Sequence, residues 1–267
     1  MRSRAGLSTA VQTAALIAIT AGLAVAVVAL WRPWEASGQA QSAAIGVGVQ
    51  QIHDLLLRRE GATVLSHSVI VRPFAEAHVI KVEWKGRSVV IPAVVSAIEY
   101  VGPKQRIPGI YYLERGEVDV LGDYIASRKL NYTTTGLDVV TYAVYDDREV
   151  RIVTKALPYV SYSVDRVYND VVVTVMVRVV LVTPHYADPG AYERVLKDGY
   201  VVPPGDTLTF RLNATRRTYY QLPESIDGGS LRVFVDGVEI PQLAFSTSER
   251  AIFRVFVDYV TVMVWAR

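Results

Sequence analysis

The segment Gly6–Trp31 constrains this chain most, because it contains no charged residue over twenty-six positions. At about 1.5 Å per residue, a helix of this length spans roughly 39 Å, more than the roughly 30 Å hydrocarbon layer of a bilayer. Two basic residues, Arg2 and Arg4, precede it. By the positive-inside rule, the sequence predicts a single-pass helix in the cell membrane, with Met1–Ala5 in the cytoplasm and the body of the chain outside.

The stretch Arg4–Val11 and the apolar helix behind it resemble the class III signal peptide of archaeal type IV pilins. The resemblance implies that a dedicated peptidase cuts after Ala5 or after Gly6. It also implies that the mature helix forms the core of a surface filament, while the rest of the subunit coats the exterior. One departure is Gln12, since many pilins carry a glutamate near the start of the mature helix.

Small residues recur at every fourth position of the apolar segment, a spacing that lets helix backbones approach closely in lipid. They are Ala10, Ala14, Ala18, Gly22 and Ala26. This stripe predicts packing against other helices, from copies of the chain or from other pilins. Two alternatives stay open for the segment: a plain signal anchor in contact with membrane lipid, and a secretory peptide cleaved near Gly38–Ala40.

Composition and spacing divide the chain into a basic leader (1–5), the membrane helix (6–32), and a stalk with a short amphipathic helix (33–60). The small, polar run Ala36–Ala44 predicts a flexible stalk. After it, apolar residues fall at helical spacing, which predicts a short helix whose apolar side caps the body. These residues are Ile45, Val49, Ile52 and Leu56.

From Ala62 onward the apolar pattern changes to period two, with turn residues at short intervals, which predicts a mainly β, antiparallel sandwich. We expect the sandwich over 61–183, a connector over 184–199, and a C-terminal β region over 200–267. That last region either completes the sandwich or forms a second, small one. Arg72–Phe74 is expected to separate two strands, and a turn is expected at Lys85–Arg87. Hairpin turns are expected at Asp146-Asp147 and at Asp236-Gly237.

The run Val171–Thr183 is strongly apolar and is therefore a candidate for a second membrane span. Its thirteen residues are too few to cross a bilayer, and Arg178 interrupts it. Valine, which is β-branched, dominates the run and favours extended structure. The sequence therefore predicts a buried strand here.

The sequence contains no motif that points to catalysis or to a bound cofactor. It has no cysteine, no metal-ligand spacing among its four histidines and no nucleotide-binding loop. Its formal net charge of +2 is spread along the chain, which gives no indication of nucleic-acid binding. Acidic residues near Asp146-Asp147 and Glu117–Asp123 offer oxygen ligands for Ca²⁺, but solvated turns are the ordinary explanation. We expect a protein that is not an enzyme and needs no metal.

Two surface features remain as candidates for contacts. Tyrosines combine apolar area with a polar tip and are common at binding surfaces. The candidate contact residues are Tyr111, Tyr112, Tyr219 and Tyr220. Asn131 and Asn213 each begin a glycosylation acceptor sequence, which matters only if the body is outside the cell.

The sequence leaves two function classes open. The first is a structural or adhesive filament subunit similar to archaeal pilins, which needs no catalytic residue. The second is a signal-anchored binding module for an envelope polysaccharide, a surface-layer protein or a solute. The length of the body, roughly 205 residues, is enough for one large β domain or two small ones in either class.

Overall fold

The computed structural model describes residues 38–113, 139–185, 199–221 and 226–267, without the side chains of residues 111–113, 221 and 226. The leader, the apolar segment and most of the connector therefore lie outside the described residues. The described chain is mainly β, as the sequence predicted. Among the described residues, no helix is both long enough and apolar enough to cross a membrane.

The described chain begins in helix α1, residues 38–58, and continues in thirteen strands with one short 3₁₀ turn, Pro241–Leu243. The strands are β1 Gly61–Val64, β2 Val69–Trp84, β3 Arg87–Pro103, β4 Tyr111–Leu113, β5 Val139–Tyr145, β6 Glu149–Ala156, β7 Tyr159–Val167, β8 Asp170–Pro184, β9 Tyr200–Val202, β10 Thr207–Gln221, β11 Ile226–Val235, β12 Val238–Glu239 and β13 Phe245–Ala266.

All thirteen strands belong to one curled sheet, whose main path is β1-β10-β13-β11-β2-β3-β6-β5-β4. Strand β13 organises it, because β10 and β11 pair with successive parts of one edge while β8 pairs along the other. Strand β7 joins through β8, β9 pairs with β2, and β12 pairs with β11. The pairs β13–β8 and β4–β5 are parallel, and the other pairs are antiparallel.

The strands after residue 200 are distributed through this sheet and do not form a domain of their own. Strand β11 pairs with β2, and β10 pairs with β1, so the late strands lie beside the early ones. Strand β8 covers the whole of the apolar run that was a candidate for a membrane span. Its residues are paired on both edges, with β7 and with β13, as expected of a buried strand.

The long strands β8 and β13 contribute side chains to two apolar cores, which lie on opposite faces of this strand pair. In β13, Val255 and Val257 lie in the first core, whereas Val260 and Val262 lie in the second. The β13–β8 register is continuous over this stretch. Because alternate residues of a strand point to opposite faces, the change from odd to even positions places the two cores on opposite sides of the strand pair.

We call the first cluster core 1, which lies among β2, β3, β8, β11 and β13 and includes Trp84 stacked on Phe253 at 5.1 Å between ring centroids. Core 2 gathers residues of α1, β2, β8, β10 and β13, with Phe210 among its largest side chains. Core 3 is smaller and joins α1 to β3, β5, β6 and Ile107. Helix α1 thus takes part in cores 2 and 3.

Two expectations about local structure need correction. Residues 38–44, expected in a flexible stalk, are part of α1. The expected break at Arg72–Phe74 is instead a bulge within the continuous strand β2, where Arg72 pairs with Ala97 and Glu76 with Val95. Proline lacks the N–H needed for ladder pairing, and bulges accommodate such residues. The buried Ser96 hydroxyl donates to the Pro73 carbonyl oxygen at 2.7 Å and so holds the bulge.

The three expected turns are present, and the turn at Asp146-Asp147 joins the antiparallel pair β5–β6. The other two have positive φ. Lys85 and Gly86 have φ of 44° and 76°, and Asp236 and Gly237 have φ of 50° and 83°. Positive φ at both central residues is the mark of a type I′ turn, which matches the twist of the flanking strands. The last of these turns brings the Asp236 carboxylate to strand β2, where it takes part in the ionic cluster described below.

Candidate functional site

Helix α1 is fixed to the sheet by one apolar stripe. The four residues that set the helical spacing in the sequence, Ile45, Val49, Ile52 and Leu56, are all buried, with exposures of 4% or less. Val49 and Ile45 enter core 3, while Ile52 and Leu56 enter core 2. Because fully burying a side chain of this size contributes about 1.5 to 3 kcal/mol, the stripe binds the helix firmly to the body.

Gly48 lets α1 approach the sheet closely at one point. A Cβ at residue 48 would lie 2.7 Å from Cε1 of His67, a buried residue just before β2. The His67 ring packs edge-on against Tyr100, at 4.7 Å between centroids, and its Nδ1 lies 3.0 Å from Ser66 Oγ. His67 Nε2 is buried and has no hydrogen-bond partner among the described residues. Burial lowers the pKa of His67, which favours the neutral ring.

A second histidine, His53, contacts the sheet from the helix side. Its Nδ1 lies 2.9 Å from Oγ1 of Thr141 on β5, which is 3.0 Å from Oγ1 of Thr154 on β6. Burial lowers the pKa of His53, and the neighbouring Asp54 carboxylate offsets this only in part. The helix–sheet contact therefore contains two histidines that favour the neutral form.

The opposite side of α1 is exposed and carries no charge over its first half. Ala40, Ala43, Ala44 and Val47 are exposed, Val47 to 57%. The first ionised side chain after Glu35 is that of Asp54. Solvated helix faces normally carry charged residues, so this uncharged, small-residue surface is suited to close contact with another apolar element. We call Ala40, Ala43, Ala44 and Val47 the exposed helix face.

An ionic cluster lies at the β2 bulge. Lys155 on β6 is only 2% exposed, and its Nζ contacts Glu76 Oε1 on β2. Strand β3 lies between β2 and β6, and its residue Ala97 is the backbone partner of Lys155. The Lys155 side chain therefore crosses over β3 to reach Glu76. The ammonium also lies 5.1 Å from the centroid of the Tyr142 ring. The cluster therefore ties three strands together through a buried cation.

The same carboxylate connects Lys155 to a histidine. Nε2 of His78 lies 3.3 Å from Glu76 Oε2, and Nδ1 of His78 lies 2.6 Å from Asp236 Oδ2. Burial alone raises the pKa of Glu76, but hydrogen bonds from His78 and Lys155 outweigh it and lower the pKa to about 2. The hydrogen bond to Glu76 raises the pKa of His78, with Asp236 adding to it. Each carboxylate thus faces a basic side chain, and the arrangement is that of a structural ion-pair network that links strands.

A cavity of about 570 Å³ lies on the outer face of β10 and β13, opposite core 2. Trp265, Met263 and Tyr200 provide its apolar and aromatic wall. Its polar groups come from Arg211, Arg267, His185 and Asn213. No aspartate or glutamate side chain is among the described residues that line it. Its volume is within the range of small-molecule sites, roughly 300 to 1,000 Å³.

Comparison with protein-family models, with curated proteins and with solved structures gave no match. The function of this chain is therefore inferred from its own residues and their contacts.

The candidate contact tyrosines do not form one surface. Tyr219 and Tyr220 are both exposed on β10, but as consecutive strand residues they point to opposite faces. Tyr219 packs on Phe256 at 4.8 Å between centroids. Tyr111 and Tyr112 lie in β4, at the far end of the sheet path, and their side chains are outside the described residues.

Several other candidates are placed only in part. Asn213 is exposed and lies at a bulge in β10, between Leu212 and Ala214, where its side chain borders the cavity. Four candidates lie outside the described residues: Asn131, the cleavage site at Ala5 or Gly6, the small-residue stripe of the apolar segment, and Glu117–Asp123.

Within the described residues, no three histidine or acidic side chains come together as a metal site. Asp146 and Asp147 occupy an exposed turn.

Sequence reasoning missed the residues that the fold brings together. Glu76, Lys155 and Asp236 come from distant parts of the chain, and the cavity is lined by residues of β9, β10 and β13 and by the residues that follow β8 and β13. One signal was available for the cluster: Lys155 lies between the apolar pairs Ile152-Val153 and Ala156-Leu157, and a lysine in such a position needs a partner when it is buried.

Proposed function

We propose that this chain is a membrane-anchored, extracellular surface protein and that it acts as a structural or adhesive pilin-like subunit. In this proposal Gly6–Trp31 anchors the chain in the membrane and packs with the same segment of neighbouring copies. The curled sheet is the exposed body, an antiparallel sandwich around cores 1 and 2, and it faces the outside of the cell. No catalytic group or cofactor takes part.

The observation that carries the proposal is the packing of α1. A binding module on a tether needs only a flexible linker between its anchor and its body. Here the described chain is already helical at residue 38, a few residues after Glu35, and that helix is bound to the sheet by its apolar stripe. Such an arrangement fixes α1 on the body, which supports a subunit that presents its helix in a defined orientation.

The exposed helix face supports the same proposal. A helix surface that lacks charge and is rich in small residues suits close packing against another helix. In a filament, the exposed helix face would contact the helix of a neighbouring subunit and so continue the contacts of the membrane segment.

The N-terminal residue of the protein from its native cell envelope tests the anchor and its processing. We expect terminal-peptide mass spectrometry to find a start at Gly6 or Leu7. A start at Met1 would reject the pilin-like subunit and leave a signal-anchored surface protein. A start near Gln41 would reject both, because the body would then be released from the membrane.

A pair of matched variants tests assembly. Val47→Lys places a charge on the exposed helix face, whereas Val90→Lys places the same charge on strand β3, where Val90 is exposed to a similar extent, 58% against 57%. We expect Val47→Lys to reduce the yield of filaments in negative-stain electron microscopy at least tenfold, and Val90→Lys to leave it unchanged. Equal effects of the two variants would exclude a specific role of the helix face.

A second candidate function, an anchored binding module, is favoured by one specific observation. The cavity beside Trp265 combines an aromatic wall with two arginines, a combination that the filament role alone does not require. The two functions are compatible, since an adhesive subunit both assembles and binds.

A further inference from the structure

The cavity on the outer face of β10 and β13 has the composition of a site for a ligand that is both cyclic and anionic. We propose that it binds a carboxylated sugar residue, such as a uronic acid of an envelope polysaccharide. The inference deepens the binding function proposed above by naming its site and its ligand class, and it does not depend on how the N-terminus is processed.

The aromatic wall supplies the surface for the sugar ring. Trp265 and Met263 alternate along β13 with the buried Val262 and Val264, so their side chains point away from core 2 and into the cavity. Trp265 is held edge-on by His185, at 6.3 Å between ring centroids. An indole presents a broad, rigid apolar face, which can cover the C–H face of a pyranose ring.

The two arginines supply the anion-binding groups. Arg211 pairs with Met263 in the β10–β13 ladder and therefore lies beside Trp265 on the same face. Arg267 follows directly after β13, where its backbone pairs with Thr207. Neither guanidinium forms an ion pair with a carboxylate among the described residues. A guanidinium binds a carboxylate through two parallel hydrogen bonds, which gives geometric specificity as well as affinity.

The bulge in β10 provides a polar group for sugar hydroxyls. The register shifts between Leu212 and Ala214, and Asn213 occupies the extra position. Bulges redirect side chains, and here the amide of Asn213 borders the cavity. An amide both donates and accepts, as a hydroxyl ligand requires. No aspartate or glutamate side chain is among the described lining residues, so a ligand carboxylate meets no like charge from them.

The experiment measures binding by the full chain in detergent micelles, using isothermal titration calorimetry. The probes are a galacturonic acid trimer and the matched neutral galactose trimer. We expect the acidic trimer to bind with at least tenfold higher affinity than the neutral trimer, and its affinity to fall as salt is added, because exposed charge pairs are screened. Absence of binding, or equal binding of the two probes, overturns the proposal.

Three variants assign the binding to the cavity. Arg211→Gln and Trp265→Leu should each weaken binding of the acidic trimer at least tenfold. Arg166→Gln removes the same charge from an exposed arginine on β7, which pairs with Glu249, and should leave binding unchanged. An equal loss in Arg166→Gln would mean unspecific attraction and would overturn the proposal. Thermal melting of each variant shows whether it is folded. Arg211→Lys keeps the positive charge but lacks the fork of N–H donors, so it should weaken binding less than Arg211→Gln does.

The mass of the proteolytic peptide that contains Asn213, from protein of the native envelope, gives a further check. Because Asn213 begins a glycosylation acceptor sequence, a glycan attached to it would itself occupy the cavity. An unmodified Asn213 is expected. A glycan at this residue would overturn the proposal of an open ligand site.

Discussion

The backbone of Gly48 on helix α1 lies directly against the imidazole ring of His67, with no space between them for a side chain. A Cβ added at residue 48 would be 2.7 Å from His67 Cε1. Because His67 is itself buried against Tyr100, its ring cannot move away easily. This contact sets how closely the helix approaches the sheet.

We therefore expect Gly48→Ala to be destabilising, although alanine is the better helix former. Alanine adds about 1 kcal/mol of helix propensity, but overpacking in a close contact costs about 1 to 3 kcal/mol. The expected net loss in the free energy of unfolding is about 1 kcal/mol, measured by chemical denaturation. Gly38→Ala is the control, since no atom of the described residues lies within 4 Å of its added Cβ. It should be neutral or stabilising, and a gain from Gly48→Ala would contradict the close contact.

The neutral state of His67 predicts that acid weakens the body. Burial lowers the pKa of His67 below the ordinary value of 6.5. The unfolded chain then binds more protons than the folded one as the pH falls below about 6.5, and stability is lost over that range. His67→Phe removes this proton uptake, so its free energy of unfolding should fall less between about pH 7 and about pH 5 than that of the unchanged protein.

The pKa of His78 is shifted in the opposite direction from that of His67, so a His78 variant serves as the comparison. The pKa of this histidine is raised by Glu76 and Asp236, and the stability it contributes is present at low pH and is lost as the pH rises through that higher pKa. His78→Phe should therefore steepen the acid loss. Parallel pH profiles for both variants and the unchanged protein would refute the assigned pKa directions.

The ionic cluster predicts that a single substitution lowers the free energy of unfolding more than a double substitution that removes both charges. Glu76→Gln leaves the buried Lys155 ammonium without its carboxylate, and we expect a loss of about 3 kcal/mol in the free energy of unfolding. The double variant Glu76→Leu with Lys155→Met buries no charge and should recover most of that loss. Arg166→Gln, which breaks the exposed pair with Glu249, should cost less than about 1 kcal/mol. A double variant as unstable as Glu76→Gln would contradict this account.

The pair Arg217–Asp258 predicts a further stability effect. Arg217 donates from Nε and Nη2 to the two carboxylate oxygens of Asp258, at 2.7 and 2.9 Å. Asp258 is 2% exposed and lies on β13, where the strand changes from core 1 to core 2. Asp258→Asn removes one charged acceptor and should lower the free energy of unfolding measurably in denaturant titrations. Glu239→Gln, at an exposed arginine pair, should leave stability unchanged.

The elements that the sequence predicted well depend on local patterns. The spacing of Ile45, Val49, Ile52 and Leu56 predicted the buried side of α1, and Asp236-Gly237 predicted a turn that needs positive φ. Residues 38–44 were predicted less well, because alanine, glycine and serine show no apolar period and suggest a linker. Alanine and glutamine are nevertheless good helix formers, and the helix extends through them once its later turns are packed.

The candidate sites depend on pairings that local patterns do not contain. Glu76 and Lys155 are brought together across β3 by the register of three strands and by a bulge. Likewise, the parallel pair β13–β8 places His185 beside Trp265, although the residues are far apart in the chain. A change of register by one residue would move each side chain to the other face, so period-two patterns alone do not identify such neighbours.

The central position of β13 has a consequence for how the protein is made. This strand is the last of the thirteen in order of synthesis, yet it holds β8, β10 and β11 in place. Until Phe245–Ala266 has emerged, those three strands lack their principal partner and the apolar side chains of both faces remain uncovered. The hairpins β2–β3, β5–β6 and β7–β8 can pair earlier, but the sheet that joins them closes only once β13 has left the ribosome.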